Sequence, residues 1–138
     1  MRIILLYGLP NTGKTTTINL VYDELIKKGA YVIKKKRKIG KNPKDFKSVL
    51  KYNDKIITFY SMGDDHRNCE RAVKTSHESD FLVLAYSTKN KTRCKLYNTT
   101  SGDPQNIIMA KTVCNTYDEN KFAECNFNDT QRILSIIK

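Results

Sequence analysis

The sequence has no tryptophan, only three prolines and no long apolar run. A membrane-spanning helix needs about 20 consecutive apolar residues, whereas the apolar runs at 3–7 and 81–86 are far shorter. The first run stops at Gly8 and lacks the features of a secretory signal. The four cysteines form no CxxC pair, which argues against a structural zinc site or a redox motif. We therefore expect a cytoplasmic protein with reduced thiols, no export signal and no membrane segment.

Negative charge is also scarce, since 14 Asp and Glu stand against 25 Lys and Arg and leave a net charge of +11. Such an excess suggests a polyanionic ligand: a nucleotide, a phosphorylated substrate or a nucleic acid. A lysine-rich proteome explains the excess equally well, because total charge does not say where the charge lies. The length of 138 residues and the 39% hydrophobic content predict one compact domain covering residues 1–138.

The apolar pattern predicts strands that alternate with helices. Continuous apolar runs are typical of strands buried on both faces, and apolar positions at helical spacing indicate amphipathic helices. The predicted strands are 3–7, 31–33, 46–52, 55–61, 81–86 and 107–109, and the predicted helices are 14–28, 68–77 and one capped by Asn128 or Asp129. The strands predicted at 46–52 and 55–61 are expected to form a hairpin, with Asn53 and Asp54 in its turn. This order predicts an α/β fold with a mostly parallel sheet covered on both faces.

Residues 8–15, GLPNTGKT, match the pattern G-x-x-x-x-G-K-[ST] at every fixed position. The match lies between a predicted buried strand and a predicted helix, an arrangement that lets backbone amides converge on a phosphate. Lys14 would reach the β- and γ-phosphate oxygens, and the Thr15 hydroxyl would ligate magnesium. The residues expected to bind the nucleotide are Gly8, Pro10, Asn11, Thr12, Gly13, Lys14, Thr15 and Thr16.

With its flanking strand and helix, this segment resembles the Walker A segment of the P-loop nucleoside triphosphatase superfamily. The order of loop, hairpin and Gly-Asp turn looks like the kinase and GTPase division of that superfamily. The resemblance implies a three-layer sandwich, a nucleoside triphosphate and Mg²⁺, but it does not determine the reaction. It also implies an aspartate at the end of an apolar strand that holds the metal, and Asp64 is the candidate. A solvated turn with a helix-capping aspartate is the alternative interpretation.

Two further patterns bear on the reaction. Asn90-Lys91-Thr92-Arg93 has arginine where a guanine-reading N-K-x-D motif has aspartate, which favours ATP over GTP. Arg67 follows the Gly-Asp turn and is a candidate for stabilising the transferred phosphoryl group, so the catalytic candidates are Lys14, Asp64 and Arg67. A solvated helix start explains Arg67 as well.

The basic run 34–38 has three interpretations: an anionic acceptor site, nonspecific contacts with nucleic acid, or a solvated edge. Nucleic acid is therefore one option that the sequence does not specifically indicate. The leading hypothesis is a magnesium-dependent ATP-binding enzyme, either a slow ATPase or a small kinase acting on an unknown anionic acceptor. The competing hypothesis is a regulatory nucleotide-binding module that hydrolyses poorly.

Overall fold

A computed structural model of the chain describes residues 1–63, 66–88, 95–113 and 118–137. Within these residues the chain forms six strands and four helices. In chain order they are β1 (Arg2–Gly8), α1 (Lys14–Lys27), β2 (Tyr31–Lys38), β3 (Phe46–Tyr52), β4 (Lys55–Tyr60), α2 (His66–Thr75), β5 (Phe81–Ser87), α3 (Lys95–Ser101), β6 (Ile107–Ala110) and α4 (Glu119–Ile137). None of the helices found in the described residues is both long and apolar enough to cross a membrane.

The six strands form one mixed sheet in the order β2-β3-β4-β5-β1-β6. Strands β4, β5, β1 and β6 run parallel, whereas β2, β3 and β4 pair antiparallel at one end. The α/β class predicted from the sequence is confirmed. Strand β5 lies between β1 and β4, and all seven of its residues are buried. Its continuous apolar sequence follows from this central position, since both of its faces pack against other side chains.

Alternate residues of β1 enter two separate apolar clusters. Ile4 and Leu6 pack with buried side chains of α1 and α4, whereas Ile3 and Leu5 pack with Cys69 of α2. Successive side chains of a strand point to opposite faces of the sheet, so the two clusters lie on opposite sides of β1. The core is therefore organised around the strand that leads directly into the glycine-rich loop (residues 8–15).

The predicted hairpin is present as β3 and β4. Its two turn residues, Asn53 (φ 49°) and Asp54 (φ 62°), both have positive φ. Asparagine and aspartate tolerate this conformation, and the two-residue turns that match strand twist require it. The hairpin brings the start of β3 next to the end of β4, and the Phe46 amide donates to the Ser61 hydroxyl over 2.8 Å.

Two predicted boundaries were wrong. The second strand does not end at Ile33, because β2 continues through the basic run to Lys38 by pairing with β3 across two register shifts. The last helix begins at Glu119, so Asn128 and Asp129 lie inside it and cap nothing. Asp129 instead accepts hydrogen bonds from the chain after β6, which explains why this polar residue lies on the buried side of the helix.

Candidate functional site

The glycine-rich loop joins the end of β1 to the start of α1. Gly13 has φ +94°, and a Cβ atom there would lie 2.4 Å from Asn126 Oδ1. A side chain at this position would therefore meet both backbone strain and a clash. At Gly8, a Cβ atom would lie 3.2 Å from Lys111 Cβ and 3.3 Å from Thr12 Oγ1. Gly13 is thus required by its backbone conformation and its packing, whereas a side chain at Gly8 would make tight contacts with Lys111 and Thr12.

Lys14 lies over the loop rather than in solvent, with 7% of its surface exposed. Its ammonium donates to the carbonyl oxygens of Gly8 (3.0 Å) and Leu9 (2.6 Å), and the Thr12 hydroxyl donates to the same Leu9 oxygen (2.8 Å). The ammonium therefore lies close to the loop backbone, where an anion bound by the loop amides would be within its reach. This position agrees with the role expected from the sequence, which remains a prediction.

The amino end of α1 is open to an anion. Its N-cap residue, Gly13, provides no side-chain hydrogen bond, and the first turn contains no acidic residue. The first amide groups of a helix lack partners within the helix and carry a partial positive charge. Pro10, Asn11 and Thr16 border the same region, and Asn11 has φ 61°. The start of α1 therefore carries the partial positive charge of a helix terminus with no acidic side chain of its own first turn to offset it.

A carboxylate that the sequence reasoning missed lies beside Thr15. The Thr15 hydroxyl donates to Asp45 Oδ1 over 2.8 Å, and the Ser61 hydroxyl donates to the same oxygen over 3.3 Å. Asp45 is 5% exposed and directly precedes β3. The hairpin is the signal that could have found it, because antiparallel pairing puts the residue before β3 next to the end of β4. Asp45 therefore occupies the neighbourhood in which Asp64 was expected.

The donor set around Thr15 fits Mg²⁺, the ion that the sequence resemblance implies. A hydroxyl and a carboxylate are hard oxygen donors, and protein-bound Mg²⁺ usually takes its remaining ligands from waters and phosphates. No cluster of three or more His, Cys, Asp and Glu side chains suited to a metal occurs in the described ranges. A magnesium ion there would therefore be held by Thr15 and Asp45 together with the nucleotide.

The other catalytic candidates have different outcomes. Asp64 and residues 90–93, on which the preference for ATP rests, lie outside the described residues. The chain just before Asp64 is held against β5, since the Ser87 amide donates to the Gly63 oxygen over 2.9 Å. A Cβ atom at Gly63 would lie 2.8 Å from the β5 backbone. Arg67 lies in the first turn of α2 and is exposed.

A cavity of about 390 Å³ opens beside Asp45, between α1 and β2. Lys36 forms part of its wall, with its Nζ atom 4.4 Å from the Phe46 ring centroid and 2.6 Å from Asn19 Oδ1. The side-chain amide of Asn19 in turn donates to the backbone carbonyl oxygens of Thr15 (3.0 Å) and Lys44 (3.1 Å). The residues lining the cavity are Thr16, Asn19, Leu20, Lys36, Arg37, Lys38, Pro43, Lys44, Asp45 and Phe46. Four of these ten side chains are cationic, so the cavity suits an anion.

A buried ion pair flanks the loop near Gly8. Lys111 Nζ lies 2.9 Å from Asp129 Oδ2, and both side chains are fully buried. Asp129 also accepts from the Thr112 amide (2.8 Å) and the Thr112 hydroxyl (2.6 Å). Burial by itself raises the pKa of Asp129, but the hydrogen bonds from Thr112 and Lys111 outweigh it, so the pKa lies below its ordinary value. This pair ties the end of β6 to α4.

Helix α4 also contributes a side chain to the rear of the loop. Asn126 is 6% exposed and lies against Gly13, and its Oδ1 atom has no hydrogen-bond partner among the described residues. The backbone carbonyl oxygen of Asn126, by contrast, accepts a hydrogen bond from the Thr130 hydroxyl over 2.7 Å, which is a contact within the helix. The sequence reasoning missed this residue because no motif surrounds it.

Comparisons with protein-family models, with curated proteins and with solved structures give no match.

Proposed function

We propose that the chain binds ATP and magnesium in the manner of a P-loop protein and transfers the γ-phosphoryl group to an anionic acceptor, as a small kinase does. The observation that carries this proposal is the glycine-rich loop at the β1–α1 junction, with Lys14 folded over it and Thr15 bonded to the buried Asp45. We include in the proposal the three-layer, P-loop-like sandwich that the resemblance implies, since alternate residues of β1 pack on opposite sides of the sheet.

Each group at the loop has a role in this proposal. The loop amides and the Lys14 ammonium hold the phosphate oxygens, and Thr15 and Asp45 hold Mg²⁺. When bound, the ion neutralises charge on the phosphates and orients them. Asp64 is proposed as a second carboxylate near the ion, and Arg67 as a cation for the transferred group.

The cavity next to Asp45 favours transfer to an acceptor over simple hydrolysis. Its wall includes Asp45 itself, so a molecule bound there would lie close to the group that holds the metal. Lys36, Lys38 and Lys44 give the cavity a positive potential that attracts an anionic acceptor. Hydrolysis by a water molecule needs no such binding space, whereas positioning a second substrate does.

Calorimetry tests the binding step. We expect wild-type protein to bind ATP with Mg²⁺, and GTP more weakly. Lys14→Ala should lower the affinity roughly 100-fold, because a cation that contacts phosphate directly is lost. Lys28→Ala, which removes an exposed lysine just after α1, is the matched control and should change nothing. No heat with either triphosphate, or equal affinities for Lys14→Ala and wild type, would refute the proposal.

Following ADP release with and without a panel of phosphorylated acceptors tests the reaction. Turnover that requires one acceptor, together with phosphorylation of that acceptor, supports a kinase. ADP release without any acceptor dependence identifies a slow ATPase instead. Tight nucleotide binding with neither reaction would favour the regulatory module.

A further inference from the structure

The basic run 34–38 is divided between the two sides of the sheet. Lys36 contacts the Phe46 ring and Lys38 pairs with Phe46, which places both lysines on the side of the cavity. Lys34 and Arg37 pair with Val49 and Lys47, which lie on the other side because β3 alternates. The register shifts in β2 produce this division. The run is therefore two surfaces rather than one.

The second of these surfaces is a basic sheet face. Cross-strand partners lie on the same side of a sheet, and the pairs Tyr31–Lys51, Lys34–Val49 and Arg37–Lys47 make up three successive positions on it. On the next strand, β4, Ile56, Thr58 and Tyr60 pair with these β3 residues and lie on the same side of the sheet. We call Tyr31, Lys34, Arg37, Lys47 and Lys51 the basic sheet face.

This face is exposed, whereas the opposite side of the same strand is core. Lys47 and Lys51 are exposed, but their neighbours Phe46 and Leu50 are buried against α1. Tyr31 is 70% exposed, although a tyrosine normally places much of its ring against other side chains. Among the described residues, none of the four cations on this face forms an ion pair with a carboxylate. A face with these properties is available to a partner.

Charge complementarity determines the kind of partner. Residues 31–55 contain ten Lys and Arg against two Asp, which accounts for most of the net charge of +11. Of those two aspartates, Asp45 is buried on the other side, and Asp54 lies in the hairpin turn beyond the strands. Cations without interspersed carboxylates match a continuous phosphate backbone. An exposed aromatic ring beside them matches an unpaired base, whose face stacks on such rings.

We propose that the basic sheet face binds single-stranded nucleic acid, with Lys34, Arg37, Lys47 and Lys51 on phosphates and Tyr31 stacked on a base. The proposal goes beyond the proposed function and does not depend on it. Of the five residues of the basic sheet face, Arg37 also lines the cavity, whereas Tyr31, Lys34, Lys47 and Lys51 belong neither to the cavity nor to the glycine-rich loop. A duplex would satisfy the cations but would leave Tyr31 without an accessible base, which is why the single strand is favoured.

Fluorescence anisotropy with labelled 20-nucleotide single strands of DNA and RNA tests the proposal, at several salt concentrations and without nucleotide. We expect binding that weakens steeply with salt. Lys47→Gln/Lys51→Gln should weaken binding about tenfold or more at low salt and reduce the salt slope by about 1.4, since each lost phosphate contact accounts for about 0.7. Tyr31→Ala should weaken binding about fivefold or more, and Tyr31→Phe should retain it.

Two controls separate this site from general attraction of a basic protein. Lys27→Gln/Lys28→Gln removes the same charge from exposed positions at the end of α1 and should leave the affinity within about twofold. Thermal melting monitored by circular dichroism shows whether each variant is folded. Equal losses in the two double variants, competition by polyglutamate as effective as by the single strand, or equal affinity for a duplex of the same length would each overturn the proposal.

Discussion

Two buried aspartates lie near the glycine-rich loop, and they differ in what surrounds them. Asp129 is fully buried and accepts hydrogen bonds from Lys111 and from the Thr112 amide and hydroxyl. Asp45 is 5% exposed, accepts from the neutral hydroxyls of Thr15 and Ser61, and borders a cavity. Among the described residues, no cation pairs with Asp45.

One carboxylate is neutralised within the protein, whereas the other borders a cavity. The charge of Asp129 is already balanced inside the protein, so the carboxylate has no capacity left for a ligand. Asp45 lies next to the hydroxyl of the loop threonine and has no cationic partner within the described part of the chain. A divalent cation would complete this arrangement, so removing each aspartate should have a different consequence.

Asp129→Asn should have the largest effect, and it should be on stability. The change leaves Lys111 as an unbalanced buried charge, so we expect the free energy of unfolding to fall by about 3–5 kcal/mol in urea denaturation. The double variant Lys111→Met/Asp129→Leu removes both charges and should recover most of the loss. If Asp129→Asn unfolds at the wild-type urea concentration, the pair does not hold α4 to the sheet as inferred.

Asp45→Asn should affect ligand binding more than folding. Asparagine keeps an oxygen for the Thr15 hydroxyl but removes the charge, so the magnesium-dependent part of ATP affinity should fall about 10- to 100-fold. Calorimetry at several Mg²⁺ concentrations measures this. Asp54→Asn, in the exposed hairpin turn, is the matched control. An unchanged magnesium dependence in Asp45→Asn would remove Asp45 from the proposed metal site.

Lowering the pH should also reduce the free energy of unfolding through Asp129, by a smaller amount than the substitution Asp129→Asn does. Since folding lowers the pKa of Asp129, its stabilising contribution is present above the ordinary pKa of 3.8 and is lost as pH falls through the lower folded value. Carbon-13 NMR of the wild-type carboxyl groups should therefore show Asp129 titrating below the exposed aspartates. Titration of Asp129 at or above their midpoint would contradict this sign.

Lys36→Met should give the smallest change in stability. Methionine retains the aliphatic packing against Phe46 but loses the cation–π contact and the bond to Asn19, so we expect a loss of about 1 kcal/mol or less. The same variant should raise the Michaelis constant for an anionic acceptor more than that for ATP. An equal rise in the Michaelis constants for the acceptor and for ATP would contradict the proposal that the cavity binds the acceptor.

Local sequence was enough to predict much of the fold. Residues adjacent in the sequence predicted the strands β1 and β5 from their apolar runs and the helix α1 from its apolar spacing. They also predicted the Asn53-Asp54 turn. The end of β2 and the start of α4 could not be obtained in this way. Lys38 is held in a strand by pairing with Phe46, and Asp129 is held on a buried helix face by Lys111. Both depend on residues distant in the sequence.

The candidate site likewise combines residues that the local sequence predicted with residues that only the tertiary structure brings to the loop. Gly8, Gly13, Lys14 and Thr15 belong to one short motif, so their spacing alone predicted them together. Asp45 and Asn126 reach the loop from 30 and more than 100 residues away, and no local pattern marks either residue. Asp64, the carboxylate chosen from the sequence, remains a prediction because it lies outside the described residues.

By itself the sequence determined the α/β alternation, the glycine-rich motif between β1 and α1 and the excess of positive charge, because these depend on neighbouring residues or on composition. Tertiary structure alone decided which carboxylate meets Thr15, which aspartate is neutralised by Lys111, and how the basic run divides between the two sides of the sheet. Each of these outcomes depends on pairing and packing between distant segments, whose register is set by the burial of the whole core.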